Sequence, residues 1–464
     1  MNAPAHTPEP SLHEAQRPRF RLAMLLPGIL VAATGVGSGD LLTAGFAGSK
    51  LGLAILWAAL YGAILKWVLN EGLARWQMAT GTTLLEGWVQ KLGRWIRWVF
   101  GAYLLLWSFF TGAAMMSGCG VAGHGLMPLH APEPVVAREG ESEGSLSSRE
   151  EAARRDAARR DKIVWGIGHS LAGLLLVWFG GFKVFEIAMA VCIAVMFGTV
   201  LLTAVLAKPD PSAVLQGILV PRIPSSGSGT DFSTSLGWVL GVLGGVGGTA
   251  TLLCYGYWIR EERREGVAGV RACRLDLGVG YLLTALFGMA MISLGSGLKL
   301  DGQGDDYAPI LAGRLSEVMG PWGRWIFLLG FWGAVFSSLL GVWQGVPYLF
   351  ADFVLLCRGR SAAQEKVDLA KTREYKFYLV ALALLPMVLL WLPVKRIQLL
   401  YAIFGAFFMP LLALTLLILN NRRDWVGDRF KSGWVINLLL GLTLLFFGFL
   451  GAQEAVKAFQ KLLN

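Results

Sequence analysis

Charge is what this sequence has least of. Only 16% of its 464 residues are Asp, Glu, Lys or Arg, while 55% are hydrophobic and mean hydropathy is +0.56. That balance excludes an ordinary water-soluble domain and fits a polytopic membrane protein. Cysteine is scarce too: the five cysteines stand singly, with no paired metal-ligand spacing, which argues against a zinc site or a disulfide framework. There is no HExxH pair, no GxSxG elbow and no pair of intramembrane aspartates, so an intramembrane enzyme is not expected. No nucleotide-binding loop is present, so ATP drive is not expected either, and no cofactor is implied. The first 20 residues are polar and Pro-rich without a small-residue cleavage site after a short apolar core. They read as a disordered cytoplasmic N-terminus, not a signal peptide. The formal charge of +10 does not indicate nucleic acid, because the basic residues sit in short loops between apolar spans.

About eleven such spans are present, each about 20 residues or somewhat longer, as a hydrocarbon core of about 30 Å requires. The first, residues 26–48, is interrupted by Gly35-Val36-Gly37-Ser38-Gly39-Asp40. Glycine weakens a helix interior by about 1 kcal/mol, and an aspartate at membrane depth costs roughly 3 kcal/mol on insertion scales. Irregular backbone at that depth is tolerated only inside protein or along a watery cavity. The stretch therefore reads as a broken helix whose freed carbonyls hold a solute, or as a kinked helix capped by Ser38 or Asp40. The sixth span, near 236–259, carries a second glycine run from Gly241 to Thr251, five spans after the first. Five is odd, so two such halves have opposite orientations, the pattern of inverted repeats with a site at the midplane. A GxxxG-like helix contact through Gly241 and Gly245 is the plainer alternative. Basic clusters at 17–21, 91–97, 260–274, 358–376 and 422–431 alternate with neutral or acidic loops such as 301–306. A cytoplasmic N-terminus puts every basic cluster inside, and an odd span count puts the C-terminus outside.

Asp40 is the only carboxylate at either break, and it is the one metal ligand we would name; Gly37, Ser38, Gly39, Gly247, Gly248, Thr249 and Thr251 complete a hard, oxygen-rich site. Lys66 lies near the centre of the second span, where snorkelling is difficult. It reads as a partner for Asp40 or an internal cation standing in for a bound ion. The alternatives are an ion pair with another acid or a deep aqueous vestibule. Glu71 and Arg75 are spaced for a helical ion pair, with a proton relay as the alternative. His169 and Glu186 could titrate during transport or be satisfied structural polar residues. Gln344 could face the site or bond across helices. The loop 128–162 has charges of alternating sign at helical spacing and reads as a solvated helix.

The run Pro27-Gly28, Gly37-Ser38-Gly39-Asp40, Leu56-Trp57, Asn70, Arg75 and Thr80-Gly81 resembles the opening of the Nramp metal-transporter family. Asn420-Asn421-Arg422-Arg423-Asp424-Trp425 is similar to that family's short basic loop, with weaker echoes at Ser337-Ser338 and Gly341. The resemblance implies an all-α, LeuT-type fold of five-plus-five inverted repeats with the first and sixth helices broken. It divides the chain into a first repeat at 21–207 with a polar insertion at 124–162, an extracellular loop at 208–235, a second repeat at 236–420, and a basic loop plus eleventh helix at 421–464. Two departures stand out. The family's Asp-Pro-Gly-Asn falls on Gly37–Asp40, and its Met-Pro-His falls on Gly248, Thr249 and Ala250.

The expectation is an Nramp-like secondary transporter in a bacterial cytoplasmic membrane, moving a small cation of the magnesium or manganese class, with protons as a candidate partner, by alternating access. With the family's thioether gone, no preference for manganese over magnesium is expected. The competing readings are a transporter of a small organic solute and a transport-inactive sensor.

Overall fold

In the computed structural model the described backbone comprises residues 26–37, 39–138, 142–206, 209–224, 232–245, 248–262, 264–298, 307–362, 365 and 367–463. The N-terminal 20 residues, Ser38, Gly247 and the 301–306 loop lie outside the described residues, as do the side chains of Asp40 and Glu186.

The described residues are helical and contain no strand. In order they form α1 (Leu26–Gly35), a π turn (Gly39–Thr43), α2 (Ala44–Leu51), α3 (Leu56–Thr80), α4 (Leu84–Lys91), α5 (Arg94–Leu126), α6 (Glu143–Leu206) and α7 (Pro211–Leu219). Then come α8 (Phe232–Gly245), a 3-10 turn (Ala250–Leu253), α9 (Cys254–Glu261), α10 (Gly266–Ser296), α11 (Tyr307–Met319), α12 (Pro321–Cys357) and α13 (Arg373–Leu384). The chain ends with α14 (Val394–Ala406), α15 (Phe408–Leu419), α16 (Arg423–Phe430) and α17 (Trp434–Leu463).

Among the described residues eight stretches are long and apolar enough to cross a membrane, and two shorter apolar helices accompany them. One of the eight, Leu41–Thr80, joins the second half of the first span to the second span. The joint is the turn at Gly52, whose φ of 66° suits glycine. The first span, α1 through α2, runs parallel to α10, with Gly28 against Asp276 and Gly45 against Gly295. α3 runs antiparallel to α10, with Glu71 bonded to Arg274 and Asn70 to Tyr281. The first two spans therefore cross in opposite directions.

The helical run α6 holds the fourth and fifth spans. Its His169 and Gly173 meet Trp332 and Leu339 of α12 in parallel order. Its Cys192 and Thr199 meet Gly333 and Gly330 in the reverse order, so the chain turns back between 173 and 192. The polar insertion continues into the same run as a helix from Glu143, with the i,i+4 ion pair Glu151–Arg155 on its exposed face. At one end of the bundle lie Arg75 against the Phe430 and Lys431 carbonyls, Lys91 and Arg422 over Trp425, Ser361 on Glu86, and Arg264 on Asp276. Four of the five basic clusters thus share an end. The opposite end holds His124 and His130 on Asp161, and Lys162 on the Leu392 carbonyl.

Candidate functional site

α1 stops at Gly35, so its last carbonyls lack helical partners. Two serines of α12 supply the donors: Ser337 Oγ reaches the Ala33 carbonyl at 3.2 Å and Ser338 Oγ the Thr34 carbonyl at 2.7 Å. Gly37 packs directly on this contact. A methyl placed there would lie 1.9 Å from Ser338 Oγ and 2.3 Å from Ser338 Cβ. No side chain, and so no aspartate, fits at Gly37 while Ser338 is present.

The second break has the same character. α8 ends at Gly245, and Gly248 has φ +83°, a conformation glycine adopts without strain. A methyl on Gly248 would lie 2.6 Å from Thr251 Oγ1 and 3.4 Å from Gly35 Cα. The two interruptions therefore touch. Their glycines bring the backbones together and leave no wide gap between them. Thr249, fully buried, accepts a hydrogen bond from Trp107 Nε1 at 2.7 Å, and Thr251 is also buried.

A third wall comes from α5, which sequence reasoning missed. Trp107, Thr111 and Met115 recur every fourth residue and so share one helix face. Trp107 meets the second break, while Met115 Sδ lies 3.8 Å from where a Gly37 methyl would sit, at the first. Thr111, between them, is 1% exposed and its hydroxyl has no hydrogen-bond partner among the described residues; the same holds for Thr34 Oγ1. Gln398 of α14 donates to the Ala114 carbonyl at 3.1 Å and leaves its Oε1 unpartnered. Buried polar atoms are normally hydrogen-bonded, which sets these oxygens apart.

Lys66 reaches the second break. It is 1% exposed, and its Nζ donates to the Gly244 carbonyl at 2.8 Å, at the C-terminal end of α8. The other titratable candidates lie away from the breaks. Glu71 pairs with Arg75, one turn on, and with Arg274 of α10 at 2.8 Å. His169 bonds the Trp165 carbonyl through Nδ1 and accepts from Trp332 through Nε2, so both ring nitrogens are used. Gln344 accepts from Trp258 of α9 at 3.3 Å.

Also missed were the contacts that hold α9, the half-helix after the second break. Tyr255 donates to Asp276 of α10 at 2.8 Å, Tyr257 to Asp352 of α12 at 2.7 Å, and Gln77 of α3 to the Gly256 carbonyl at 2.7 Å. Arg264 completes the first contact by pairing with Asp276 at 2.7 Å. The signal was available, because Asp276 and Asp352 are carboxylates inside apolar runs. Among the described residues no group of three or more His, Cys, Asp or Glu side chains could hold a metal. A cation here would meet hydroxyls, amide and backbone oxygens and one thioether, together with whatever Asp40 contributes.

The arrangement can be set beside known proteins. The crystal structure of the Eremococcus coleocola manganese transporter in complex with an aromatic bis-isothiourea compound is similar, with a TM-score of 0.69 at 16% identity over 93% of this chain and 85% of that one. A mutant of that transporter gives a TM-score of 0.70, covering 96% of this chain and 88% of the other. MhsT in complex with L-phenylalanine gives 0.55 at 16% identity, covering 93% and 98%. The architecture is thus the LeuT type with broken first and sixth helices. No curated protein matches the sequence. The family model for natural resistance-associated macrophage protein-like (Nramp) transporters matches residues 28–456, nearly the whole chain. The chain belongs to the Nramp family of membrane transporters.

Proposed function

We propose that this Nramp protein carries a small divalent cation by alternating access, held chiefly by oxygen at the two helix breaks. The observation that carries the reading is the contact between the breaks, Gly248 against Gly35, beside the unpartnered Thr34 and Thr111 hydroxyls and the Gln398 amide oxygen. Neutral oxygens and a single soft thioether suit a partly hydrated cation. Rocking of one helix group against another exposes such a site to each side in turn, with 21–207 and 236–420 as the two repeats. The end that gathers the basic clusters is the cytoplasmic one.

Lys66 favours a second reading, a neutral or anionic organic solute. The magnitudes decide what the first reading demands. At an effective dielectric of about 20, a divalent ion about 5 Å from an ammonium is repelled by roughly 7 kcal/mol. A divalent cation can therefore bind if a carboxylate neutralises Lys66. Purified protein in liposomes, screened over magnesium, manganese, cadmium and a panel of small organic solutes, tests the choice. Saturable cation uptake supports the first reading. Solute uptake without cation uptake replaces it with the second, and transport of neither supports a sensor.

A further inference from the structure

We infer that the groove between α5 and α12, at the end of the bundle that gathers the basic clusters, binds an anionic diacyl phospholipid. The groove shares no residue with either helix break, so the site is independent of the cargo. Its volume is about 640 Å3, and Arg94, Arg97, Trp98, Gly101, Phe350 and Phe353 lie along it. Pockets that take small molecules measure roughly 300–1,000 Å3. The two walls run antiparallel: Gly101 faces Phe353, while Tyr378, stacked on Phe350, donates to the Leu104 carbonyl. Gly101 forms a notch, since a methyl there would lie 3.1 Å from the Phe353 ring.

Along α5 the side chains follow the order of a phospholipid, charge first and hydrocarbon after. Arg94, Arg97, Gly101 and Leu104 recur at three- and four-residue spacing and so share one helix face. The arginines stand in the first turn of the helix, and the apolar part of the groove follows toward the middle of the span. Trp95 and Trp98 are exposed beside the arginines, as tryptophans at a membrane interface are. Leu105, at the far end of the groove, is exposed where acyl chains surround the bundle.

The charge of this face is unanswered by the protein. Among the described residues neither Arg94 nor Arg97 forms an ion pair, and Arg97 Nε is buried without a hydrogen-bond partner. Other arginines at this end are paired, Arg75 with Glu71, Arg264 with Asp276 and Arg358 with Glu374. The first turn of α5 holds no acid, although the positive end of a helix dipole favours anions and disfavours cations. α4 and α13 place Glu86 and Glu374 in that position. A lipid phosphate between Arg94 and Arg97 supplies the missing negative charge, and arginine forks grip phosphate at two points. Basic pockets between membrane helices hold anionic headgroups in this way. The acyl chains then cover Gly101, Phe350 and Phe353. A free phosphate ion would leave those apolar walls unused, and a zwitterionic lipid would bring its own cation to the arginines.

Cys357 lines the groove and is the exposed one of the five cysteines, so its labelling reports occupancy. The test uses the full chain in detergent micelles and reads the rate at which an uncharged maleimide modifies Cys357. Dioleoyl phosphatidylglycerol should slow labelling at least fivefold. Dioleoyl phosphatidylcholine and glycerol phosphate should each slow it less than twofold. Native mass spectrometry of the same samples should show phosphatidylglycerol retained on the parent chain. Replacing both arginines, Arg94→Gln with Arg97→Gln, should reduce the phosphatidylglycerol effect to that of phosphatidylcholine while the lipid-free unfolding profile stays that of the parent. If that variant fails to fold, Gly101→Leu decides, since it fills the notch with both arginines in place and should lose the retained lipid. Equal protection by the two lipids, or an arginine variant that retains phosphatidylglycerol like the parent, overturns the inference. Protection by glycerol phosphate alone overturns it in favour of a free anion. Protection that rises with protein concentration and not with lipid overturns it in favour of a second copy of the chain.

Discussion

The first break offers a sharp energetic test, because the glycine at 37 and the serine at 338 occupy one space. A methyl at Gly37 would sit 1.9 Å from Ser338 Oγ and 2.3 Å from its Cβ, far inside the roughly 3.5–4.0 Å at which carbon atoms attract. Overpacking a closed core costs about 1–3 kcal/mol, and a collision with both atoms of one side chain belongs at the top of that range. Gly37→Ala should therefore cost about 3 kcal/mol. Ser338→Gly has two separate costs. Glycine inside α12 loses about 1 kcal/mol, and the lost hydrogen bond to the Thr34 carbonyl about 1 kcal/mol more.

Independent sites would make the double variant about 5 kcal/mol less stable than the parent, by simple addition. If the two residues share one volume, removing Ser338's side chain makes room for the new methyl. The pair should then cost about 2 kcal/mol, with a coupling of about 3 kcal/mol, at the upper limit for contacting residues. Unfolding titrations of the four proteins in mixed micelles, followed by tryptophan fluorescence, measure this directly. Additive losses, or a Gly37→Ala cost below about 0.5 kcal/mol, would refute the packing account. They would also reopen Gly37 as a place for a ligand.

Tyr257→Phe removes the hydroxyl that bonds Asp352 at 2.7 Å and should shift the resting population toward the state with α9 released. A buried hydrogen bond is worth about 0.5–1.5 kcal/mol net, so spin-label distances across α9 and α12 should show a rise of roughly twofold to tenfold in the released form. An unchanged distance distribution would exclude that contact from gating. Asp40→Asn and Lys66→Met should each lower stability by more than the double change does, because removing one partner strands a buried charge at about 3–5 kcal/mol; additive losses would mean the side chains do not meet. In a Cys357→Ser background, a cysteine at Val136 (77% exposed) should react with an impermeant thiol reagent in intact cells and one at exposed Lys371 should not. The reverse pattern would invert the topology. Met115→Leu should equalise cadmium and magnesium uptake, since its thioether is a soft group beside the first break and late first-row and softer metals prefer it. Retention of any cadmium preference in that variant would place the soft ligand elsewhere.

Legibility from sequence tracked how local each feature is. The broken spans were readable because glycine runs and an aspartate inside apolar stretches conflict with a lipid-facing helix at single positions. Lys66 was readable on the same grounds, and the Glu71–Arg75 pair by helical spacing; the bond from Lys66 to Gly244, across 178 residues, was not. The α5 wall left no local trace. Trp107, Thr111 and Met115 look like any face of an apolar helix until the fold sets them against Thr249 and Gly37. The width of the breaks was equally hidden, because a glycine run is compatible with a gap or with close contact. What decides is Ser338, three hundred residues away, whose hydroxyl caps α1 and fills the volume above Gly37.

That placement changes how the departures from the family pattern are to be understood. Read along the chain, Gly37 and Gly248 are two lost ligands, an aspartate and a methionine. In space neither position can carry a side chain without rearrangement: Ser338 closes the first, and the second combines a positive φ with Thr251 and Gly35 at its surface. The groups that remain beside the breaks come from other helices, with a thioether on α5, an amide oxygen on α14 and an ammonium on α3. A chain that had merely lost its ligands would be free to regain them by single substitutions. Here restoring the aspartate requires Ser338 to change first. Positions 37 and 338 are therefore one coupled pair, and an aspartate at 37 should be tolerated only beside a smaller residue at 338.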